Sequence, residues 1–261
     1  MLVGSLFSGI GGFDLGLEWT GMEIAWQVEN DPYCLKVLEK HWPDVPKFGD
    51  IKELDFEKLS PVDIVAGGDP CPSRSRARSN GPSKHPDLSG YFLAVAGRLR
   101  PQWVVRENVC APDDVHFSAG LELLGYRTVI IRAEAASFTG QSRIRDFVIG
   151  CNQKKCFKKF ISFFKNGPGT SQKKLDTRQV IACLTTHRTR YDSRDNYIWH
   201  AEEQKLRILD SEEREVFAGF PCGWTFGFSE TTRARLLGNA VVPQVVYEIG
   251  RAIIIAEAMR G

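Results

Sequence analysis

The stretch that decides the fold lies near the start of the chain, where residues 2–7 read LVGSLF and residues 8–12 read SGIGG. The first run is apolar enough for a buried strand, whereas three glycines in four positions suit neither a strand nor a helix interior. A helix is predicted to follow over residues 13–19. In a unit made of a strand, a glycine turn and a helix, the backbone can approach a ligand closely at the N-terminus of the helix. Such turns also serve as plain connectors.

Outward from this unit, strand-like and helix-like runs alternate as far as Cys151. Strands are predicted at residues 24–28, 62–66, 103–105, 126–132 and 146–151, and helices at 32–41, 88–99 and 115–124. This alternation predicts an α/β fold with a Rossmann-like, mixed but mostly parallel sheet and helices on both faces. Such sheets bind ligands at the carboxyl ends of their strands.

The alternation stops after Cys151 and resumes near residue 206. Helical periodicity returns over residues 206–217, and an apolar helix is predicted at 243–259. We therefore expect one core domain built from residues 1–151 and 206–261, with residues 152–205 as an insertion between its two parts. Residues 151–206 hold 12 Lys and Arg against 5 Asp and Glu, in a chain whose net charge is +2. The excess favours a polyanionic partner, although a solvated basic loop has the same composition.

Composition excludes several classes of protein. With 261 residues, 43% hydrophobic and 25% charged, the chain is neither disordered nor too small for a core. No apolar run approaches the roughly 18 residues of a membrane span, and the N-terminus has no basic leader. Seven scattered cysteines favour reduced thiols, so a cytoplasmic location is expected. Cys151, Cys156, Cys183 and His187 resemble a metal-ligand set, but Cys151 ends a predicted core strand and no metal is expected.

Two acids follow predicted strands in the way that nucleoside-binding acids do. Glu29 ends the second strand about 20 residues after the glycine turn, where a carboxylate commonly binds the ribose hydroxyls. Asp50 follows Gly49 further along the chain. Either acid alone is more often a surface carboxylate or a helix cap. Their order after successive strands favours a nucleoside cofactor.

Three further features carry chemistry. Cys71 follows a Gly-Gly-Asp-Pro turn and opens a polar loop whose arginines could lower the pKa of its thiol. Glu107 ends an apolar strand, where a carboxylate is costly without a partner or a task. Arg143 and Arg145 fall on one face of an extended segment. Each has an ordinary structural interpretation, but together and in this order they indicate an active site.

These motifs resemble those of the DNA (cytosine-5) methyltransferase family. The matching pieces are residues 6–13, Glu29, 50–51, 70–71, 107–109, 141–145, Leu209 with Glu213, 219–221 and 238–241. Several motifs in one order are far more specific than any one of them.

The resemblance implies a catalytic mechanism. Cys71 would add to carbon 6 of a flipped cytosine, Glu107 would protonate or hydrogen-bond N3, and Arg145 with Arg143 would hold the carbonyl oxygen. The cofactor would be S-adenosylmethionine, and the residues implied to bind it are Phe7, Ser8, Gly9, Gly11, Gly12, Glu29, Asp50, Ile51, Asp69, Pro70, Asn239 and Val241. The residues expected to contact double-stranded DNA are Arg74, Arg76, Arg78, Gln141, Lys154, Lys155, Arg188 and Arg190.

The chain also departs from the family pattern. Arg74 stands where an aromatic residue is usual, Ser89 where Arg is common, and Arg106 where the family is apolar. We expect the cations added at Arg74 and Arg106 to bind phosphates beside the flipped base; the alternative is that they accommodate an unusual anionic base or cofactor variant. By the resemblance, residues 1–151 and 206–261 form the catalytic domain and 152–205 a small target-recognition domain. Alternatives are a cytosine methyltransferase acting on RNA and an inactive DNA-binding relative. A monomer is expected, with no membrane partner and any cognate nuclease on another chain.

Overall fold

The computed structural model describes residues 1–70, 87–109, 113–166, 184, 197–200 and 204–259. Its centre is a seven-stranded sheet in the order β3-β2-β1-β4-β5-β7-β6. The strands are β1 (Leu2–Leu6), β2 (Glu23–Val28), β3 (Lys47–Phe48), β4 (Ile64–Gly67), β5 (Trp103–Asn108), β6 (Arg127–Glu134) and β7 (Ile144–Cys151). β7 pairs antiparallel with β5 and β6, and the other pairs are parallel. The predicted mixed, mostly parallel sheet is confirmed.

Helices cover both faces of this sheet. The helices are α1 (Gly12–Glu18), α2 (Pro32–His41), α3 (Ser89–Leu99), α4 (Asp113–Leu123), α5 (Ala136–Thr139), α6 (Lys154–Asn166), α7 (Ser211–Phe217), α8 (Glu230–Asn239) and α9 (Pro243–Ala258). One buried cluster joins α1, α6 and α9 to the sheet through residues such as Phe13, Phe160 and Ile249. A second, containing Phe92 and Phe117, joins α3 and α4 to the opposite face.

Successive residues of β5 enter different clusters, as the pleat requires. Trp103 and Val105 belong to the α1/α9 side, and Val104 belongs to the α3/α4 side. Because parallel strands all end at the same edge of the sheet, the ends of β1, β2, β4 and β5 form one carboxyl edge. Cys151, the last residue of β7, pairs with Trp103, the first of β5, and so lies at the opposite, amino edge.

Local signals account well for α2. Its predicted bounds and the observed Pro32–His41 agree. Asp31 caps the helix by accepting hydrogen bonds from the backbone N–H groups of Tyr33 and Cys34, and Pro32 occupies the first turn, where its missing N–H costs nothing.

The helix predicted over residues 206–217 is wrong in its first part. Lys205–Ile208 forms strand β9, which pairs antiparallel with β8 (Tyr197–His200) in a separate two-stranded sheet. The helix begins only after Asp210, whose side chain accepts a hydrogen bond from the Glu213 N–H while the Glu213 side chain accepts one from the Asp210 N–H. This reciprocal capping box is a stronger start signal than periodicity.

The range 152–205, predicted to be a separate domain, begins with a helix that packs on the main core. Its first part forms α6, which packs on α9 with Cys156 and Phe160 buried in the main core. The alternation of lysines with Cys, Phe and Ile is that of an amphipathic helix, whose apolar stripe must be covered. Leu184 is likewise buried, beside α2 and α8. The other residues between 167 and 196, with 201–203, lie outside the described residues.

One stretch of the described residues is long and apolar enough to cross a membrane, by length and composition alone. It covers Glu230–Ala258, and half of it is buried in the protein. The stretch is two helices, because residues 240–242 interrupt it between α8 and α9. α9 is 16 residues long, against the ~20 that a span needs, and it packs on α1 and α6. It is a helix of the core.

Candidate active site

The glycine turn after β1 shapes one wall of a cavity. Phe7, Gly9 and Gly11 have φ angles of 52°, 55° and 84°, in the left-handed region that favours glycine. A Cβ on Gly12 would lie 2.6 Å from the carbonyl oxygen of Val241, so only glycine lets the returning C-terminal segment pack against the turn.

This cavity brings together many of the residues predicted to bind a cofactor. Its lining includes Phe7, Ser8, Gly9, Gly12, Asn239 and Val241. Glu107 and Gly68, at the ends of β5 and β4, line it as well. Two groups of residues more than 200 positions apart thus face one cavity at the carboxyl edge, together with the predicted catalytic acid.

Glu29 is held beside the turn by backbone hydrogen bonds. Its Oε2 accepts from the Gly9 N–H at 2.7 Å, and its Oε1 accepts from the N–H groups of Asn30 and Asp31 at 2.9 and 2.8 Å. Burial raises its pKa, against the lowering effect of these bonds. A carboxylate oxygen has about two acceptor positions, so Oε2 retains one for a hydroxyl group. This geometry suits a ribose.

Six of the predicted cofactor residues are not part of the cavity lining: Gly11, Glu29, Asp50, Ile51, Asp69 and Pro70. Asp50 accepts a hydrogen bond from the Lys52 N–H at 3.0 Å, which lowers its pKa, and it pairs with the Lys52 ammonium at 3.1 Å. Ile51 is buried in the α3/α4 cluster. Gly11 packs against the ring of Trp42. Asp50 and Ile51 remain predictions for the adenine edge, because both follow β3 at the carboxyl edge of the sheet.

Glu107 and Arg145 form an ion pair at the end of β5. The Arg145 Nε lies 3.0 Å from the Glu107 Oε1, with 18% and 13% of the two side chains exposed. That contact lacks hydrogen-bond geometry, so Oε1 is buried without a hydrogen bond from a described residue. Burial raises the pKa of Glu107 more than the charges of Arg145 and Arg143 lower it. The site therefore favours a protonated carboxyl more than water does.

Arg143 and Gln141 are buried. The Arg143 guanidinium donates to the Gly238 carbonyl at 3.1 Å. The backbone N–H of Arg143 donates to the Glu134 carboxylate. The Gln141 amide donates to the Phe217 carbonyl at 2.9 Å and accepts from the Leu184 N–H. The structure thus uses Gln141 to join α7 to the segment at Leu184, and the prediction that it contacts DNA is not supported by its position.

Asp69 also differs from its prediction as a cofactor residue. Both of its carboxylate oxygens accept hydrogen bonds from the buried Arg106 guanidinium, through Nε and, at 2.9 Å, through Nη2. Arg106 also pairs with Asp114 at 3.1 Å and lies over the Phe117 ring. Arg106 is therefore not a surface cation gripping phosphates. Pro70 is exposed and is the last described residue before the predicted nucleophile.

Several predicted residues cannot be placed at the cavity. Cys71, Arg74, Arg76, Arg78, Arg188 and Arg190 lie outside the described residues. Lys154 and Lys155 begin α6, three residues after β7 ends at the amino edge, so the structure puts them at the edge opposite the cavity. Cys151 and Cys156 are buried in the core, and the described residues hold no group of three or more potential metal ligands.

Sequence reasoning did not assign six of the residues that line the cavity: Ile10, Phe13, Cys34, Gly68, Leu236 and Ala240. Gly68 lines the cavity, and a Cβ there would lie 3.0 Å from the Glu107 Oε2. The paired glycines at the end of β4 were the available signal. Cys34, on α2, lines the same cavity, but it sits in an ordinary helical pattern that carries no such signal.

A mostly parallel sheet, a glycine turn after its first strand and an acid at the end of the second are typical of nucleoside-cofactor enzymes with a Rossmann-like fold. Within that class, the family model for C-5 cytosine-specific DNA methylases matches residues 1–202 and 169–255. The chain belongs to this family, whose members use S-adenosylmethionine. This confirms the resemblance, the cofactor class and the methyltransferase family predicted from the sequence.

Individual relatives agree with this membership. Type II methyltransferase M.AquIA of Picosynechococcus is 39% identical over 116 residues, which are 40% of this chain and 47% of that protein. Type II methyltransferase M.NgoMIV of Neisseria gonorrhoeae is 25% identical over 300 aligned residues, covering 95% of each. The chain thus spans about half the length of the first and nearly all of the second.

Solved structures show the same fold. DNMT2 of Spodoptera frugiperda superposes with a TM-score of 0.74 at 17% identity, covering 97% of this chain and 99% of that one. The Entamoeba histolytica methyltransferase EhMeth gives 0.73 at 15% identity, with 100% and 99% covered.

Proposed function

We propose that this chain transfers a methyl group from S-adenosylmethionine to carbon 5 of a cytosine in double-stranded DNA. The observation that carries the proposal is the position of Glu107. Its buried carboxyl shares one cavity with the glycine turn and lies 3.0 Å from a guanidinium nitrogen. A nucleoside-cofactor wall and an acid of raised pKa thus face the same space.

The chemistry requires that acid. Carbon 5 of cytosine is a poor nucleophile until a thiolate bonds to carbon 6, which moves the ring electrons toward N3. Cys71 supplies the thiolate, and protonated Glu107 delivers a proton to N3, leaving an enamine that is electron-rich at carbon 5. Arg145 orients the Glu107 carboxyl and binds the carbonyl oxygen of the base. After methylation, a base takes the proton from carbon 5, the thiolate leaves carbon 6 and N3 returns its proton to Glu107, which restores the neutral aromatic ring.

The bound cofactor supplies a methyl group on a sulfonium centre. The residues of the cavity fit it: the glycine turn, Asn239 and Val241 enclose the space. Beside the turn, Glu29 has one acceptor position left for a ribose hydroxyl.

The target base must leave the duplex to reach this cavity, so base flipping is part of the proposal. Arg74, Arg76, Arg78, Arg188 and Arg190 remain the proposed phosphate contacts. The segment between residues 167 and 203 is the proposed reader of the target sequence. We also propose a cytoplasmic monomer that acts with any cognate nuclease carried on another chain.

The test combines purified protein, tritiated S-adenosylmethionine and three acceptors: duplex DNA of mixed sequence, structured RNA, and DNA containing 5-fluorocytosine. We expect label in duplex DNA, recovered as 5-methylcytosine. Fluorine at carbon 5 leaves no proton to lose, so the fluorinated DNA should remain covalently attached to the protein.

Cys71→Ser should abolish both label and covalent attachment while cofactor affinity stays within about threefold, because the thiolate is needed only for the chemical step. Cys222→Ser is the matched control, since Cys222 is exposed and lies outside the cavity lining. Label in RNA alone would favour the RNA alternative. Unchanged turnover by Cys71→Ser would overturn the covalent mechanism, and binding of cofactor and DNA without label would indicate an inactive relative.

A further inference from the structure

The end of β5 carries a second cluster of charged side chains, which the mechanism does not use. Arg106 precedes Glu107 on the strand and lies on the opposite face, among the residues of α4. Its Nε and Nη2 both donate to the carboxylate of Asp69, and its Nη1 lies 3.1 Å from the Asp114 Oδ1. Each of the three side chains is only 3% exposed. We call Asp69, Arg106 and Asp114 the buried triad.

Two neighbouring side chains also contact the buried triad. The Arg106 Cζ lies 4.5 Å from the centre of the Phe117 ring, and the Asn108 amide lies 3.4 Å from the Asp69 Oδ2. Burial alone would lower the pKa of the Arg106 guanidinium, but the hydrogen bonds and charge of Asp69, with the charge of Asp114, raise it above its ordinary value. The guanidinium is therefore charged, and its planar fork fits the Asp69 carboxylate in one orientation only.

The position of the triad in the chain gives it a role beyond packing. Asp69 lies two residues before Cys71, and Asp114 lies in the first turn of α4, seven residues after Glu107. One guanidinium thus joins the residue that leads into the nucleophile to the strand that carries the catalytic acid. The two catalytic groups come from different strand ends, so their separation depends on what holds those ends together.

We propose that Arg106 is a positioning residue, which sets the start of the Cys71 loop against β5 through its paired hydrogen bonds to Asp69. This proposal rests on the proposed function for the role of Cys71. It also explains the departure from the family at position 106: the cation is matched by Asp69 and Asp114 and does not face the substrate. A misplacement of about 1 Å between reacting groups can cost about 100-fold in rate, so such a link affects catalysis without touching substrate.

The experiment compares Arg106→Met with Arg106→Lys, each in the full chain. Met keeps most of the volume and removes the hydrogen bonds, whereas Lys keeps the charge but loses the fork. Arg233→Met is the matched control, because Arg233 is also a buried arginine paired with a buried acid, Glu215, away from β5. Turnover is expressed per cofactor-binding site, so that unfolded protein does not count.

We expect Arg106→Met to lower kcat at least about tenfold, with cofactor affinity within about threefold, and Arg106→Lys to restore part of the loss. Arg233→Met should leave kcat per site within about threefold. If Arg106→Met keeps kcat within about twofold of the unmodified chain, or falls only in parallel with Arg233→Met, the triad serves stability alone and the proposal is wrong.

A second measurement keeps this result separate from the proposed function. Iodoacetamide alkylation of Cys71 is followed by mass spectrometry, with exposed Cys222 in the same molecule as the internal reference. Arg106→Met should change the Cys71 to Cys222 rate ratio at least about fivefold, and Arg233→Met should not. If the protein transfers label to neither DNA nor RNA, the proposed function is wrong, and the alkylation ratio alone then tests the role of Arg106. If Arg106→Met leaves the Cys71 to Cys222 ratio unchanged, the proposed role of Arg106 is wrong.

Discussion

The two faces of β5 at the carboxyl edge both pair an acid with an arginine, and they do so in opposite ways. On the α3/α4 face, Arg106 is saturated by two carboxylates and closed off from solvent. On the α1/α9 face, Glu107 meets Arg145 at 3.0 Å, lines a cavity, and has a carboxylate oxygen without a hydrogen bond from the described residues.

The difference separates a structural cluster from a reactive one. A buried ion cluster whose donors and acceptors are all used fixes geometry, and a ligand has nothing left to bind there. An acid that is buried but incompletely bonded has a raised pKa and an unused acceptor, both of which a substrate can exploit. Adjacent residues on one strand thus carry different tasks, because the pleat sends them to different environments.

The largest effect of a substitution is expected at Glu107, the reactive side of this comparison. Glu107→Gln preserves the shape of the side chain but removes its transferable proton, so we expect kcat to fall by about 10²–10⁴-fold. Cofactor affinity should change by less than about threefold, because Glu29 and the glycine turn are untouched. Single-turnover labelling of duplex DNA at several S-adenosylmethionine concentrations measures both the rate of methyl transfer and the cofactor affinity.

Glu257→Gln is the matched control for that variant. Glu257 is another half-buried acid, which accepts a hydrogen bond from the Trp103 indole at 2.9 Å at the amino edge, far from the cavity. Its kcat should stay within about twofold. A Glu107→Gln rate close to that of the unmodified chain would remove Glu107 from the mechanism.

Asp14, another buried acid, sharpens the comparison, because no cation of the described residues pairs with it. Asp14 accepts hydrogen bonds from Ser5 and Gln27 at 3.0 and 2.8 Å, and burial raises its pKa from 3.8 to about 6. Unfolded chains release this proton near pH 4 and folded chains release it near pH 6. The free energy of unfolding therefore falls between those two values, by about 3 kcal/mol, and stays lower above pH 6.

Asp14→Asn should remove that fall, because an amide does not titrate. Urea denaturation from pH 4 to pH 7 should show the variant gaining about 3 kcal/mol relative to the unmodified chain as the pH rises. Asp44→Asn, at an exposed position, is the control and should show no such gain. A difference that stays constant with pH would mean that Asp14 does not titrate in this range.

The smallest effect is expected at the amino edge. Replacing Lys154, Lys155, Lys158 and Lys159 by Gln should leave the salt dependence of DNA binding unchanged, because α6 begins at the edge opposite the cavity. Each phosphate contact would contribute about 0.9 to the slope of log K against log salt. Replacing Arg74, Arg76 and Arg78 by Gln should lower that slope. A fall of about 3 with the lysine variant would place DNA on α6.

Local chemistry in the chain was enough to predict most of the framework. The strand before the glycine turn and the bounds of α2 depend on neighbours a few residues away, and Glu29, Cys71 and Glu107 each follow a run that predicts a strand. Periodicity, capping and turn residues depend on residues that are close in sequence, so they can be recognised without a structure. The parallel sheet then follows, because strands joined through helices end at one edge.

The pairing of distant residues was settled only by the folded chain. Nothing in the spacing of Asp69 and Arg106, which are 37 residues apart, shows that they bond to each other. Likewise, the sequence did not show that the apolar stripe of α6 is buried against the main core, at the edge opposite the cavity. The energy of a buried charge depends on which elements meet around it, and that is a property of the packed structure.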